Sequence, residues 1–295
     1  MKAITFSICM MFVCTFVLQA QPKRIEIETK KDYQLKGKVK QIVEDSTGLI
    51  LKFTPKGNLQ FAGFLKDGKL DGRTYSYDKA GRLLKEKTWG GVYVYTYNAQ
   101  GQMIKEQKMD GTKCISSKSF LYDMNGNPRR ETSSPGTTCT LKNTYDSQKR
   151  LIKIERFVLP SNRLMWTTNI TYLPNGWTRH TLREKSTIIV EEFDDKGRER
   201  SSVMNDDVTK QYANSSKKYD ADDNLIESKN DASTTIYTYN TKGELTTKEQ
   251  DRPIFGKVKI KYTYLKHDEV GNWTERITDE DGNQTIETRT IEYYN

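Results

Sequence analysis

Histidine is nearly absent from this chain: His180 and His267 are the only two in 295 residues. Neither lies near a cysteine or the other histidine, so the usual spacings of a zinc site are missing. A histidine base would have to be carried by the fold to a distant serine or cysteine, and no Gly-x-Ser-x-Gly turn marks such a nucleophile. Cysteine is as scarce, with four residues, of which Cys9 and Cys14 lie in the first apolar stretch. Apolar runs are short after residue 18, and none approaches the ~20 residues that cross a bilayer as a helix. Helical periodicity is weak throughout the remainder. These gaps argue against histidine-based or metal-based catalysis and against a helical membrane span.

What is present begins with a leader. "MKAITFSICMMFVCTFVLQAQPK" has one lysine, an apolar run from Ala3 to Leu18 and a small residue, Ala20, before polar sequence, which is the layout of a secretory signal peptide over residues 1–20. A segment 21–34 follows, and residues 35–295 read as one repeat domain. Export places the protein in the periplasm, outside the cell or on its surface. Cys114 and Cys139 then face an oxidising compartment that permits pairing. In a simple meander one strand separates them, placing their Cα atoms about 9.6 Å apart, beyond the roughly 7 Å that a disulfide tolerates, so either the pair is reduced or the far loops "MDGTKC" and "SSPGTTC" bring it together off the sheet. The formal net charge is +9, and it reads as dispersed. Lys257, Lys259 and Lys261 share one strand face, but no recognition element accompanies them, so nucleic acid is not an expected partner.

One pattern recurs along the chain: an aromatic, Asp or Asn, two free positions, Gly, one free position, an apolar residue. It appears as "FTPKGNL" at 53, "YDKAGRL" at 77, "YNAQGQM" at 97, "YDMNGNP" at 122 and "YDSQKRL" at 145. It continues as "YLPNGWT" at 172, "FDDKGRE" at 193, "YDADDNL" at 219 and "YNTKGEL" at 239, with looser copies "HDEVGNW" at 267 and "TDEDGNQ" at 278. The drifting spacing suits a meander of hairpins with variable far loops better than a fixed-period solenoid. Asp or Asn accepts a hydrogen bond from a backbone N–H further round the turn, and glycine supplies the positive φ that closes it. Lys149 and Asp223 replace that glycine, and Pro55 and Pro174 are read as standing in for the acid or amide. Residues flanking each tip alternate, with Val258, Ile260, Tyr262 and Tyr264 on one face and Lys257, Lys259, Lys261 and Thr263 on the other, as do Tyr93, Tyr95 and Tyr97 against Val92 and Val94. That is the period of half-buried strands.

The motif resembles the YD repeat of RHS and wall-associated surface proteins, and Tyr77, Asp78, Gly81, Arg82 and Leu83 match its signature in full. Residues 57–86 are also similar to MORN-type repeats, through Gly63, Gly68, Gly72, Tyr77 and Gly81. Both resemblances imply successive β-hairpins. Family members that deliver toxins enclose a C-terminal toxin in a β shell built from longer arrays. This chain ends "ETRTIEYYN", still alternating, which implies an array without cargo, and about 240 residues of hairpins are expected to fall short of a comparable shell.

The expected fold is all-β: tandem antiparallel hairpins forming an elongated, twisted sheet or a partial barrel, with edges protected by charge, as in "RIEIETKKD" near the N-terminus. The acid clusters "DADDN" at 220–224 and "DEDGN" at 279–283 read as turn formers ahead of calcium loops. Trp89, Trp166, Trp177 and Trp273 read as packing ahead of a carbohydrate-stacking platform. No catalytic, metal or cofactor residue is assigned, and no binding residue can be named. The expected role is a non-catalytic exported repeat protein that binds or scaffolds at the bacterial cell envelope, with a polysaccharide or an envelope protein as partner. An envelope glycan hydrolase and a MORN-like antitoxin or immunity partner of a toxin are the alternatives.

Overall fold

The computed structural model describes residues 33–295 apart from 209, 210 and 255. The stretch read as a signal peptide, 1–20, and the charged stretch at 24–32 therefore lie outside the described residues. Within them the chain forms one 22-stranded antiparallel sheet. The strands are β1 (Val39–Glu44), β2 (Leu49–Phe53), β3 (Leu59–Lys66), β4 (Lys69–Tyr77), β5 (Leu83–Thr88), β6 (Gly91–Tyr97) and β7 (Met103–Asp110). Next come β8 (Lys113–Tyr122), β9 (Pro128–Ser134), β10 (Thr138–Tyr145), β11 (Leu151–Leu159), β12 (Arg163–Tyr172), β13 (Thr178–Glu184), β14 (Thr187–Phe193) and β15 (Glu199–Asp206). The series ends with β16 (Gln211–Tyr219), β17 (Leu225–Asn230), β18 (Ser233–Tyr239), β19 (Leu245–Arg252), β20 (Gly256–His267), β21 (Trp273–Glu280) and β22 (Asn283–Tyr293).

Each strand pairs with its sequence neighbours, and β1 also pairs with β22 through Ile42 opposite Ile291 and Glu44 opposite Arg289. The sheet therefore closes on itself. Of the two expected forms, a twisted sheet or a partial barrel, the chain takes the second and carries it to full closure: the two terminal strands satisfy each other's backbone groups, so no edge is left for charge to guard. With strands ~4.8 Å apart, the ring has a diameter of about 34 Å before strand tilt widens it.

The recurring motif makes the tips at one end of this ring, and the "YDKAGRL" copy shows what each position does. Asp78 N–H donates to the Arg82 carbonyl at 2.9 Å and Gly81 N–H to the Asp78 carbonyl at 3.0 Å, closing the turn. The Asp78 carboxylate accepts from Arg82 N–H at 2.9 Å and from Arg82 Nε at 2.6 Å. The Arg82 guanidinium then lies 5.0 Å from the ring centre of Tyr97 in the next copy, as Arg150 does over Tyr172 at 4.2 Å and Arg198 over Tyr219 at 4.3 Å. Tyr97 in turn donates its hydroxyl back to the carbonyl of Leu83, the apolar residue of the previous copy, at 2.8 Å. Tyr77 to Leu59, Tyr122 to Met103, Tyr172 to Leu151, Tyr239 to Leu225 and Tyr264 to Leu245 repeat this hook. The tyrosine hook thus binds hairpin to hairpin, and in the copies at 77 and 145 acid and arginine join it as well as shaping the bend.

The departures are informative. Lys149 and Asp223 adopt φ of 60° and 70°, doing what glycine does elsewhere. The proline reading needs correction: Thr54 and Leu173 occupy the acid position, and Pro55 and Pro174 fall one residue later, at the corner that suits their fixed φ. Thr54 Oγ1 accepts from Asn58 N–H at 3.2 Å, replacing the carboxylate. The copy at 278 is not a tip of this set, because Asp281 and Gly282 form the two-residue turn between β21 and β22 at the opposite end. Gly63 and Gly72 face each other across β3 and β4, where a Cβ on Gly63 would sit 2.1 Å from the Asp71 carbonyl oxygen.

The termini complete the ring by imitating the repeat. Asn272 Nδ2 donates to the Tyr293 hydroxyl at 2.7 Å and Tyr293 donates to Asp268, as Tyr145 does with Asn127 and Asp123. Tyr294 hooks onto the Phe53 carbonyl at 2.7 Å. Lys36 N–H and its carbonyl both bond the Asn272 side chain, tying the segment before β1 to the last tip. Replacing Tyr97 by Phe removes one hook while leaving its ring in place. It is expected to cost about 0.5–1.5 kcal/mol in urea unfolding with an unchanged m-value.

Candidate functional site

Closure gives the sheet two surfaces of different character. On the concave one, side chains converge and shield one another, and Tyr75 and Tyr95 lie there with Ile42, Leu51, Ile154 and Leu182, all buried. The apolar residues gather in two clusters. The larger spans β1 to β7 and β22 beneath Tyr33 and Leu35, and the smaller spans β10 to β12. Both run along the wall, and neither joins opposite walls.

Outside those clusters the concave wall is polar. Tyr75 and Tyr93 flank Glu86 across β4, β5 and β6, and Tyr95 faces Glu106. Burial pushes the Glu86 carboxyl up, the Tyr95 hydroxyl bond draws it back down, and the Glu106 charge adds to the rise. Burial likewise pushes the Tyr95 phenol far up, reinforced by the charges of Glu86 and Glu106. Further round, Arg156 pairs with Glu131 at 3.1 Å and Arg276 with Glu287 at 2.6 Å. Asp194 is buried and its carboxyl is held low. Desolvation opposes this, but the Arg198 N–H and the guanidiniums of Arg198 and Arg200, each 2.8 Å away, outweigh it. At the seam Arg289 lies 8% exposed, 3.7 Å over the Trp273 ring, with Nε donating to the Trp273 carbonyl, and burial brings it down to about 10.

Glu191 is the exception to this lateral pairing. It sits 3% exposed between His180 on β13 and Ser202 on β15, and its Oε2 has no hydrogen-bond partner among the described residues. Burial, and then the nearby Glu199 charge, push its carboxyl up to about 7.

The residues singled out in sequence fall as follows. His180 packs its ring 4.9 Å from Phe193, and His267 Nε2 lies 2.6 Å from Glu244 Oε1 at a tip. Asp220 accepts from Asp222 and Asn224, and Asp279 from Gly282, so those carboxylates shape turns. The tryptophans form no common platform: Trp89 is 77% exposed on a far loop, while Arg156, Arg200 and the pair Arg276 and Arg289 lie over Trp166, Trp177 and Trp273. Cys114 is exposed and Cys139 buried, both free, with β9 between their strands. Glu191 escaped sequence reasoning because nothing but strand parity separates it from Glu192, which points outward to Arg179 at 2.8 Å.

On the convex face from β11 onward, many charges are paired across neighbouring strands. Lys218 lies 3.0 Å from Glu227, Lys257 3.4 Å from Asp251 and Lys266 2.5 Å from Glu275, and Lys259 pairs with Glu249. The lysine stripe of β20 is therefore largely neutralised.

No curated protein matches this chain. Among solved structures, that of TcdB2-TccC3 without its hypervariable C-terminal region aligns at 17% identity and a TM-score of 0.36, covering 80% of this chain and 13% of that one. The chain thus spans about one eighth of that relative's length. A porin-like protein from Bacteroides uniformis ATCC 8492 aligns at 12% identity and a TM-score of 0.22, covering 88% of this chain and 99% of that one. The Teneurin YD-shell family model matches residues 23–247, most of the chain and nearly every tip of the ring, and the protein belongs to that family.

Proposed function

We propose that this protein is a non-catalytic binding or scaffolding shell that acts at the cell envelope after export, with a polysaccharide or an envelope protein as its partner. The observation that carries this reading is the organisation of the polar groups. With the exception of Glu191, the wall's ionised groups described above are held by neighbours along the sheet, which makes a rigid, regular surface in place of a convergent reactive centre. The convex face mixes charged residues such as Lys85, Lys105, Glu227 and Lys257 with threonine, serine and apolar residues such as Val94 and Ile236, which supports a shell surrounded by water over a barrel with an unbroken apolar lipid-facing band. A glycan array together with a pull-down from envelope extract is expected to yield a specific partner. Empty results from both would remove the proposal.

One observation favours a second reading, hydrolysis of envelope glycans: Glu191 and Glu199 lie close on the concave wall, one with a raised pKa and the other ion-paired with Lys217 at 3.5 Å. An acid and a carboxylate so placed are the parts of a glycosidase pair. Against it stands the burial of Glu191, which keeps substrate from its carboxyl.

The same residue has a consequence for stability. Its folded pKa lies above the unfolded value, so the neutral form is favoured in the folded state. Its contribution is complete below about pH 4.5 and is lost as pH rises through about 7. Relative to Glu191→Gln, the parent protein is expected to lose on the order of 2–3 kcal/mol between pH 4.5 and 8 in urea unfolding. Parallel pH profiles for the two proteins would show that Glu191 is not desolvated as described.

A further inference from the structure

The positive charge of the chain is sorted by the ring. Strand parity sends Glu86, Glu106 and Glu131 to the concave wall and Lys85, Lys105 and Arg130 to the convex one, all at the same register. Each basic residue is the second after the apolar position that ends a tip: Leu83, Met103 and Pro128. Lys85 faces Ser76 and Val94, Lys105 faces Thr96 and Ser119, and Arg130 faces Leu121 and Thr140. From β4 to β10 the outward strand positions carry no carboxylate, and serine and threonine fill most of the places between the cations. None of Lys85, Lys87, Lys105 and Arg130 has an ion pair among the described residues, in contrast to the paired charges on the far side of the ring. At the same register later in the chain the cation gives way to Ser201, Glu227, Thr247 and Glu275, and Lys153 on β11 is already neutralised by Glu155 at 2.8 Å. The row is therefore bounded at a definite place in the ring.

Two strands and two residues of stagger separate Lys85 from Lys105, and the same step leads to Arg130, so their Cα atoms lie about 12 Å apart in an oblique line. We propose that this row is a docking surface for a linear acidic polysaccharide, whose repeated carboxylates meet the evenly spaced cations while the intervening hydroxyls hydrogen-bond its sugar oxygens. The inference rests on the envelope-binding reading and narrows its partner to an anionic glycan. A polymer with charge at intervals fits a row of single cations on a gently curved face. The row has no aromatic interleaving of the kind that stacks nucleic-acid bases, and the apolar residues beside it, Val94 and Leu121, alternate along their strands with Thr96 and Ser119 in place of the continuous apolar face that enters a lipid surface.

The test uses the full exported chain and polygalacturonate, with neutral dextran, double-stranded DNA and phosphatidylglycerol vesicles as comparison arms. The parent protein is expected to bind polygalacturonate and not dextran, with an affinity that falls steeply with salt as counterions are released. The triple variant Lys85→Gln, Lys105→Gln, Arg130→Gln should lose at least tenfold and show a flatter salt dependence. The triple variant Lys257→Gln, Lys259→Gln, Lys261→Gln removes the same charge from the paired stripe and should stay within twofold. Matching melting curves establish that both variants fold. Equal losses in the two variants, tighter binding to DNA or vesicles than to polygalacturonate, or no binding to polygalacturonate would each overturn the proposal. If the last result comes with capture of a neutral glycan or an envelope protein, the envelope-binding reading survives and only the row is refuted.

Discussion

The pairing of β1 with β22 is the constraint on which the rest of the molecule depends. A sheet of this size left open would expose two rows of unsatisfied backbone groups and would be a template for association with other chains. Closing it turns one face inward, and the inside is what permits buried tyrosines, Glu86, Asp194, Glu191 and Arg289 to exist on a single-layer sheet. Burial here comes from curvature and from side chains shielding each other, since no second layer covers the wall. The seam is made of ordinary ladder bonds with Tyr293, Tyr294, Lys36 and Asn272 added at the tip end, so the end of the chain plays the part of the next repeat.

Between the seam's two sides the ring is propagated by a short-range device. In the copies at 77 and 145 the acid holds the turn, the arginine ties that acid to the following tyrosine, and the tyrosine reaches back to the apolar residue's carbonyl. Other copies keep the acid or amide and the hook without the arginine. A hairpin alone is marginal in water, and this chain of contacts makes each one a platform for its neighbour. Where a copy departs, a local substitute appears: Thr54 for the acid, Lys149 for the glycine, and Asn143 bonding the Pro128 carbonyl where Tyr145 turns instead to Asp123.

What the sequence makes legible follows from the range of each interaction. Tips, strand parity and the left-handed positions at Lys149 and Asp223 depend on residues within one hairpin, and they could be read directly. The hook from Tyr97 to Leu83 spans neighbouring copies and is visible only as recurrence. Closure joins residues at opposite ends of the chain, such as Val43 and Thr290, with no turn between them to signal it. The concave wall was hidden for a related reason. Glu191 and Glu192 look alike until the ring defines an inside, and "LLKE", "MIKE" and "PRRE" read as mixed charge until the two faces separate lysine or arginine from glutamate.

Hydrogen exchange at the seam tests closure most directly. Amides of β1 and β22, among them those of Val43 and Thr290, are predicted to be protected to the same degree as those of the ring-interior strands β11 and β12. Exchange of β1 and β22 at rates typical of solvent-facing edge strands, with β11 and β12 still protected, would show that the sheet is open and would contradict the account.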